Sequence, residues 1–400
     1  MRFDPFTPDA IEDPYRQYAE FRAHDPVHWS EKLRSWVLFR HDDVTAFFRD
    51  DVRLSADRSK AAKFKSAAMA DQGPKVRHVS LDPPEHVPVR WILNTTLNPR
   101  VRTVGPRVDE LVRILLDRVG TAVARVVDRA ELAGECDLIA TFAYPLPINV
   151  IAELFDVPEA DRPQFRDWSH DVARGMDRFY SGDAFTRGLS AFHEYFGRLV
   201  RERRGLAGDD LVRRLLVADH RGEQLSEPEV VTMCSGLVFA GHETTVNLIG
   251  NGLLALLRRP DQLARLQADP ALIETALEEL LRFDSPAQFM SRTAVANFEL
   301  RGKHIEPEQA VLAGIGSANH DPEIFDDPGR LDVARDPNPH LAFGLGTHFC
   351  PGAQLSRIEA QAAISALLRR FPRIRLGDTP PVHRKTAVLR GLEHLPVRVD

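Results

Sequence analysis

The apolar stretch of residues 230–257 constrains the fold more than any other segment. It is too apolar to lie on a protein surface, so it is expected to form a buried helix. His242, Glu243, Asn247 and Asn251 interrupt it, which argues against a membrane-spanning helix. With 400 residues, the chain has ample length for a large core that can enclose the helix.

One face of this predicted helix is lined by small side chains. At helical spacing Leu237, Ala240, Gly241, Thr244 and Leu248 fall on the same side. A flat cofactor can lie against such a face. Glycine inside a helix costs about 1 kcal/mol relative to alanine. Because Thr244 can also bond back to the carbonyl of residue 240, the pair predicts a local opening of the helix.

Glu243 and Thr244 have two interpretations from the segment alone. A buried glutamate is costly unless it is paired, so Glu243 either serves a function or has a structural partner. Thr244 either faces a ligand or satisfies its own helix. His242 points to another side and is predicted to be structural.

A loop that contains three glycines, residues 343–352, places Cys350 at the start of a second predicted helix. Gly344, Gly346 and Gly352 allow tight, partly left-handed turns. The unpaired N–H groups and the dipole at a helix N-terminus favour a thiolate over a thiol. Cys350 is therefore a candidate nucleophile or metal ligand.

The number of ligands or catalytic partners that each kind of site requires limits the possible roles of Cys350. A nucleophile needs a base, and His348 is near but completes no visible triad. Zinc and iron–sulfur sites need about four ligands, whereas the chain has only Cys136, Cys234 and Cys350, far apart in sequence. A haem iron needs one thiolate. The remaining interpretation is a small buried cysteine in a glycine-rich turn.

Residues 343–352 resemble the haem-binding signature of the cytochrome P450 family, Phe-Gly-x-Gly-x-x-x-Cys-x-Gly. Three further segments match in the family's order, residues 240–245, 279–282 and 86–90, so the resemblance covers essentially the whole chain and is to soluble bacterial members. Pro351 departs from the pattern, which usually has an aliphatic residue there. Proline lacks an N–H, so one possible donor to the sulfur is lost.

The resemblance implies a cytochrome P450 fold over residues 1–400, a single large domain that is mainly α with small antiparallel β-sheets. Local patterns predict the individual elements. Helices are expected at 14–24, 101–127, 228–259 and 270–282, a hairpin at 27–39, a helix capped by Asp42 or Asp43, strands within 293–314, and an irregular segment at 325–339.

The resemblance also implies a site for haem b (iron protoporphyrin IX), with Cys350 as the axial ligand of the iron. It gives Thr244 a hydrogen bond to dioxygen and Glu243 a place in the proton relay. His86, Arg90, Arg292 and His348 are assigned to the propionates. The other cofactor contacts are Ala240, Gly241, Phe343, Gly344 and Gly352. Glu279, Arg282 and Arg335 are expected to form a structural network that braces the loop.

The implied activity is a haem-thiolate monooxygenase that hydroxylates or epoxidises an apolar organic substrate with O2, in bacterial secondary metabolism. Because no nucleotide fingerprint or four-cysteine cluster is present, electrons are expected from an external ferredoxin and ferredoxin reductase. Candidates for docking them are Arg100, Arg102, Arg357 and Arg369. The expected pocket residues are Phe239, Phe289, Met290 and Leu389.

Two other functions stay open at this point: a peroxide-driven haem-thiolate peroxygenase and a non-catalytic haem-binding sensor. The Glu243–Thr244 pair argues against both. A net charge of −6 gives no support to nucleic-acid binding. The N-terminus is neither a signal peptide nor a spanning helix. A cytoplasmic monomer without a membrane anchor is expected.

Overall fold

Helices form the larger part of the fold in a computed structural model that describes residues 1–57, 60, 76–129, 135–176 and 183–399. The α-helices within these ranges are α1 (Pro8–Glu12), α2 (Pro14–His24), α3 (His41–Arg49), α4 (His86–Thr103), α5 (Gly105–Arg129), α6 (Pro145–Leu154), α7 (Arg162–Met176), α8 (Asp183–Arg203), α9 (Leu211–Val217), α10 (Glu227–Leu257), α11 (Pro260–Ala268), α12 (Ile273–Phe283), α13 (Ile315–Ala318) and α14 (Ala353–Arg370). A π-helix covers Ile139–Ala143, and 3₁₀ turns cover Glu159–Asp161, Pro270–Leu272 and Gly346–His348.

The central helix is α10, the segment predicted from its apolar composition. A capping box at Ser226 and Glu229 starts it, so the first turn has its N–H groups satisfied. The helix packs against α6, α7, α8 and α14, and most of its residues are buried. None of the helices in the described ranges combines the length and apolar character needed to cross a bilayer.

The predicted helix at 101–127 is two helices in the structure. Helix α4 ends at Thr103, and α5 begins at Gly105. Pro106 lies at the second position of α5, where its missing N–H costs nothing. Pro106 also lacks the N–H that would bond to the carbonyl of residue 102, so the helical hydrogen-bond ladder is interrupted here and a new helix begins at Gly105.

Helix α3 also differs from its prediction, because it begins at His41 after Arg40 rather than at an aspartate cap. Asp42 and Asp43 lie in its first turn. They accept hydrogen bonds from the Arg301 guanidinium at 2.7 Å each. The negative charges suit the helix N-terminus without capping it.

The main sheet has five strands in the order β1-β2-β10-β7-β3. The predicted hairpin is confirmed as the antiparallel pair β1–β2, but β10 lies parallel to β2, so the sheet is mixed. The smaller sheets are β11-β14-β4, β12-β13, β5-β6 and β8-β9. The strands are β1 (Val27–Ser30), β2 (Ser35–Leu38), β3 (Leu54–Ser55), β4 (Glu135–Asp137), β5 (Asp219–His220), β6 (Glu223–Gln224), β7 (Phe289–Ala294), β8 (Phe298–Leu300), β9 (Lys303–Ile305), β10 (Ala310–Gly314), β11 (Arg375–Leu376), β12 (Val382–His383), β13 (Leu392–His394) and β14 (Pro396–Arg398).

Three hydrophobic clusters hold these elements together. The largest surrounds α10 and draws on residues from Val89 to Val399. The second lies between the main sheet and α3. The third joins the N-terminal helices to β7 through Phe3, Tyr18 and Phe289. The predicted irregular segment 325–339 contains no helix or strand, and it leads directly into the cysteine loop.

Candidate functional site

A cavity of about 340 Å³ separates the small face of α10 from the cysteine loop. Leu237, Ala240, Gly241, Thr244 and Leu248 line it on the helix side. The loop contributes Phe343, Gly344, His348, Cys350, Pro351 and Gly352. The two segments that the sequence singled out are therefore the two opposite walls of one chamber.

The cysteine loop depends on two left-handed glycines. Gly344 has φ +67° and Gly346 has φ +73°. A Cβ on Gly344 would lie 3.2 Å from Cε1 of Phe48, and one on Gly346 would lie 3.0 Å from the Phe48 carbonyl oxygen. The loop is closed by a hydrogen bond from the Cys350 N–H to the Phe343 carbonyl at 3.0 Å. The backbone therefore packs directly against α3, which fixes the direction of the cysteine.

Burial raises the pKa of the Cys350 thiol, and this effect outweighs the N–H groups of Gly352 and Ala353 and the nearby Arg90 and Arg357 charges, which lower it. The N–H groups at the helix N-terminus favour the thiolate, as predicted, but desolvation of the charged form outweighs them. A bound metal ion removes the proton outright. The N–H groups of Gly352 and Ala353 still point to the sulfur, so Pro351 does not leave it without donors.

The cavity is cationic at one end. The His86 and His348 rings lie 4.4 Å apart, and the Nε2 atoms of both are buried without a hydrogen-bond partner among the described residues. Burial, then the neighbouring His348 and Arg90, lowers the pKa of His86 to about 4. Arg90 also lines the cavity and donates to the Phe349 carbonyl at 2.5 Å. Unpartnered buried donors of this kind call for an anionic ligand.

Arg292 lines the same end, but its terminal nitrogens are already engaged. Nη1 donates to Oδ1 of Asp51 at 3.1 Å and to the carbonyls of Phe47 and Asp50, and Nη2 donates to the carbonyl of Phe48. Asp51 also accepts a hydrogen bond from Thr347 at 2.5 Å. Asp51 therefore ties the arginine to the cysteine loop, a role that no local sequence pattern indicated.

On the opposite wall, Thr244 satisfies its own helix. Its hydroxyl donates to the Ala240 carbonyl at 2.7 Å, one of the two interpretations left open by the sequence. Helix α10 continues through this point without a break, so the predicted local opening is absent. Gly241 serves close packing instead, because a Cβ there would lie 2.6 Å from Cδ1 of Ile151.

Glu243 does not line the cavity within the described residues. Its side chain is 1% exposed and forms an ion pair with Arg384. His242 is structural: its Nε2 donates to the Tyr144 carbonyl at 3.2 Å, and its Nδ1 accepts from the Ser169 hydroxyl at 2.6 Å. Burial lowers the pKa of His242 to about 3, so the ring is neutral.

The predicted structural network is present below the cysteine loop. Glu279 and Arg282 are both 0% exposed, and their two hydrogen bonds measure 2.7 and 2.8 Å. Arg335 donates to Oε2 of Glu279 at 3.0 Å. Arg282 also donates a hydrogen bond to the Asn319 carbonyl, and the side chain of Asn319 accepts one from the Leu341 N–H at 2.8 Å. This chain of contacts reaches the residues just before the loop.

Of the four predicted pocket residues, Met290 lines the cavity. Phe289 packs in the aromatic cluster instead, 6.0 Å from Phe3 and 5.8 Å from Tyr18 between ring centroids. Phe239 lies on another side of α10 and packs against the main core. Leu389 bridges to Ala287, which lines the cavity in its place. The apolar character of these three residues serves the core.

The fold is shared with known proteins. The cytochrome P450 family model matches residues 15–391. The polyketide biosynthesis cytochrome P450 PksS of Bacillus subtilis is 35% identical, covering 100% of this chain and 99% of that protein. Its solved structure matches 100% of both chains with a TM-score of 0.87. The chain belongs to the cytochrome P450 family. Two further relatives are the monooxygenase PikC of Streptomyces venezuelae, 39% identical over 98% of this chain and 92% of PikC, and 6-deoxyerythronolide B hydroxylase of Saccharopolyspora erythraea, 37% identical over 97% and 96%.

As a cytochrome P450, the protein is a haem-thiolate monooxygenase with haem as its cofactor, and it uses O2, an organic substrate and redox partner proteins. The described residues fit haem. Cys350 lines a cavity whose other wall is the small face of α10, and Arg90 and His348 line one end of it. His86 does not line the cavity within the described residues, but its ring lies 4.4 Å from that of His348, and the Nε2 atoms of both rings can donate to an anionic group there. The carboxylates of haem supply that group.

Proposed function

We propose that this cytochrome P450 hydroxylates or epoxidises a neutral, apolar polyketide-type substrate in bacterial secondary metabolism, with electrons from a ferredoxin and its reductase. The supporting observation is the distribution of charge in the cavity. Among the described lining residues the cationic or titratable ones are Arg90, Arg292, His348 and Cys350, all at the haem end. The remaining wall is mostly apolar, and Met290 adds an adaptable side chain.

The site residues have the following proposed roles. Cys350 holds the haem iron, while His86, Arg90 and His348 pair with the propionates, and Arg292 contributes beside Asp51. Ala240, Gly241, Phe343, Gly344 and Gly352 form the walls against the ring. Bound haem supplies the activation of O2 that no side chain can perform.

Protons reach the cavity through the chain's own residues. The Thr244 hydroxyl exchanges its bond to the Ala240 carbonyl for one to oxygen in the cavity, and Glu243 supplies it with protons. The reaction balances as substrate plus O2, two electrons and two protons giving oxygenated substrate and water. The redox partners provide the electrons, and the relay provides the protons.

The substrate class rests on the relatives as well as the cavity. The name of PksS refers to polyketide biosynthesis, and that of 6-deoxyerythronolide B hydroxylase refers to a macrolactone. PikC is named a monooxygenase and the latter protein a hydroxylase, so both names describe oxygenating enzymes. A mostly apolar pocket with few polar groups suits a large neutral ligand of this kind.

The electron carrier is proposed to dock on a basic surface, with Arg102 and Arg369 as exposed candidates. Arg100 lies 3.8 Å from Asp209. Arg357 is a poor candidate, because it makes two 2.7 Å hydrogen bonds to Glu278 and stacks on Phe343. A guanidinium held this way serves the cysteine loop rather than an acidic partner.

The two alternative functions are less well supported. A peroxygenase of this type replaces the acid–threonine pair with a basic residue that holds a substrate carboxylate, and this chain has Glu243 and Thr244. A sensor needs no proton relay. Turnover with peroxide alone that survives Thr244→Ala would favour the peroxygenase over the proposed function.

A ligand-binding screen that reads the spin-state shift of the ferric haem tests the substrate class. The most informative comparison uses 6-deoxyerythronolide B, its ring-opened hydroxy acid and the methyl ester of that acid, because the open-chain acid and ester differ in the charge of the carboxylate. The neutral lactone should bind at least about tenfold more tightly than the hydroxy acid, as measured by titration of the spin-state shift. The reason is that an unpaired carboxylate loses its hydration in an apolar cavity. Tighter binding of the acid would overturn the proposal of a neutral substrate.

We also propose that residues 1–400 form a single domain and a cytoplasmic monomer. One core cluster draws on residues from Val89 to Val399, which supports the single domain. Cys136, Cys234 and Cys350 are free thiols, as expected in a reducing compartment.

A further inference from the structure

Asp51 links the cysteine loop to the cationic end of the cavity. Its Oδ1 accepts a hydrogen bond from Nη1 of Arg292 at 3.1 Å, and its Oδ2 accepts one from the Thr347 hydroxyl at 2.5 Å. Arg292 lines the cavity, and Thr347 lies in the loop that carries Cys350. Each oxygen of the carboxylate therefore has its own partner, one on strand β7 and one in the cysteine loop.

The C-terminus of α3 holds the Arg292 guanidinium from another side. The last carbonyls of a helix have no partner within it and form the negative end of its dipole. Arg292 donates to the carbonyls of Phe47 and Phe48 at 3.1 and 3.3 Å, and to the Asp50 carbonyl that follows them at 3.1 Å. Among the described residues, the full negative charge in contact with this guanidinium is that of Asp51.

The charge of Asp51 acts on Arg292 more strongly than that of the other acids nearby. Burial lowers the pKa of Arg292, and Asp51 is the strongest of the charges that raise it, ahead of Asp82 and Asp50. Asp82 is paired instead with Lys60 at 2.7 Å. Neutralising Asp51 would therefore leave the cation of Arg292, whose side chain is 3% exposed, without its main counter-charge.

This pair of charges bears on how readily bound haem takes up an electron. Reduction of ferric haem adds one negative charge, which a nearby carboxylate disfavours and a nearby cation favours. Asp51 and Arg292 have opposite effects on that step. The side chain of Asp51 is 25% exposed, so solvent screens its charge only in part.

We propose that Asp51 lowers the reduction potential of bound haem by neutralising Arg292, and that its second oxygen holds the cysteine loop through Thr347. The proposal rests on the proposed contact of Arg292 with a haem propionate. Because Asp51 acts through Arg292 and Thr347, it is a positioning residue. Its two contacts can be separated by mutation, since the first acts through charge and the second through a hydrogen bond alone.

The test is a potentiometric titration of the haem-loaded protein without substrate, together with the rate of haem transfer to apomyoglobin. Asp51→Asn removes the charge and keeps the shape, Asp51→Ser is a second neutral variant, and Asp51→Glu keeps the charge. Thr347→Val removes the hydroxyl, and Thr347→Ser retains it. Asp50→Asn is the matched control, because Asp50 is the adjacent acid but its carboxylate accepts from Nε of Arg53 at 2.5 Å.

The two neutral variants of Asp51 should raise the ratio of ferrous to ferric haem at a fixed potential about threefold, or about 28 mV at about 59 mV per tenfold change. Asp51→Glu and Asp50→Asn should shift this ratio by less than half as much. Thr347→Val should keep the wild-type potential but release haem about threefold faster or more, because a hydrogen bond to a charged group is lost. Thr347→Ser should release haem at the wild-type rate.

An unchanged potential in both neutral variants would overturn the proposal. Equal shifts in Asp51→Asn and Asp50→Asn would overturn it as well, since the contact with Arg292 would then make no difference. A shift in Thr347→Val as large as that in Asp51→Asn would mean that loop geometry sets the potential, which also contradicts the proposal.

Failure of the proposed propionate contact looks different, because Arg292→Gln would then keep both the wild-type potential and the wild-type rate of haem release. Failure of the proposed reaction is distinct again. The titration needs neither substrate nor redox partner, so a protein that binds haem but oxygenates no substrate would still give the predicted shifts.

Discussion

Replacement of Glu279 by glutamine probes the network below the cysteine loop. Glu279 accepts hydrogen bonds from Arg282, Arg335, Asn338 and the Asp332 N–H, at 2.7 to 3.1 Å. Glutamine keeps the shape but removes the charge, and its amide group must face a guanidinium. Breaking one partner of a fully buried pair costs about 3–5 kcal/mol. With about 2.1 cal/mol/K of unfolding entropy per residue, the apparent unfolding temperature should fall by about 4–6 °C.

The adjacent Glu278 is the matched control. It pairs with Arg357 at 2.7 Å and with His340 at 3.0 Å, but its side chain is 28% exposed. These partners outweigh its partial burial and lower the pKa of Glu278 to about 2. Partial exposure screens the pair, so Glu278→Gln should cost less than Glu279→Gln, about 1–2 kcal/mol or about 1–2 °C.

The assay is thermal unfolding of both haem-loaded variants at one scan rate, together with the fraction of protein that shows the thiolate–haem band after reduction and CO treatment. Glu279→Gln should lose part of this band because the network reaches the loop through Asn319. Equal losses of stability in the two variants would refute the reasoning, since burial would then not decide the cost.

Three further outcomes are expected. In the folded protein the pKa of His242 is about 3, so the ring stays neutral, whereas in the unfolded chain it takes up a proton below pH about 6.5. The protein therefore loses stability as the pH is lowered from about 6.5 towards 3. Between pH 7 and 5 the wild type should lose about 2 kcal/mol more than His242→Asn, measured as unfolding temperatures, and equal losses would contradict the assignment. Thr244→Ala should lower product formed per NADPH about tenfold or more with ligand affinity unchanged, and an unchanged yield would exclude it from the relay. Gly344→Ala, at φ +67°, should cost about 1–2 kcal/mol and weaken haem retention, whereas Gly329→Ala, where a Cβ would meet nothing within 4 Å, should be mild; the reverse order would argue against the loop geometry.

Local signals were enough to predict the two walls of the site. The apolar run places α10 within two residues of its observed ends, and the glycine spacing predicts a left-handed loop that Gly344 and Gly346 form. These features are encoded in consecutive residues. Helix propensity and hydrophobic periodicity depend on residues that are close in the sequence, so these features can be predicted from it.

Contacts between distant segments were not predictable in this way. Arg384 is far from Glu243 in the chain, and only the packing of the β12–β13 connection on α10 brings them together. Phe289 has an apolar side chain that would suit a pocket, but it packs in the aromatic cluster. The alternation of a strand does not show which neighbouring element each of its two faces packs against. The parallel pairing of β2 with β10 likewise depends on the tertiary fold.

The most direct test of the site is the spectrum of the reduced, CO-treated protein. The wild type should show the red-shifted thiolate–haem band, and Cys350→Ser should lack it. Cys136→Ser and Cys234→Ser serve as matched controls and should keep the band, since both residues are buried in the main core. Persistence of the band in Cys350→Ser, or its absence from the wild type, would contradict the assignment of Cys350 as the haem ligand.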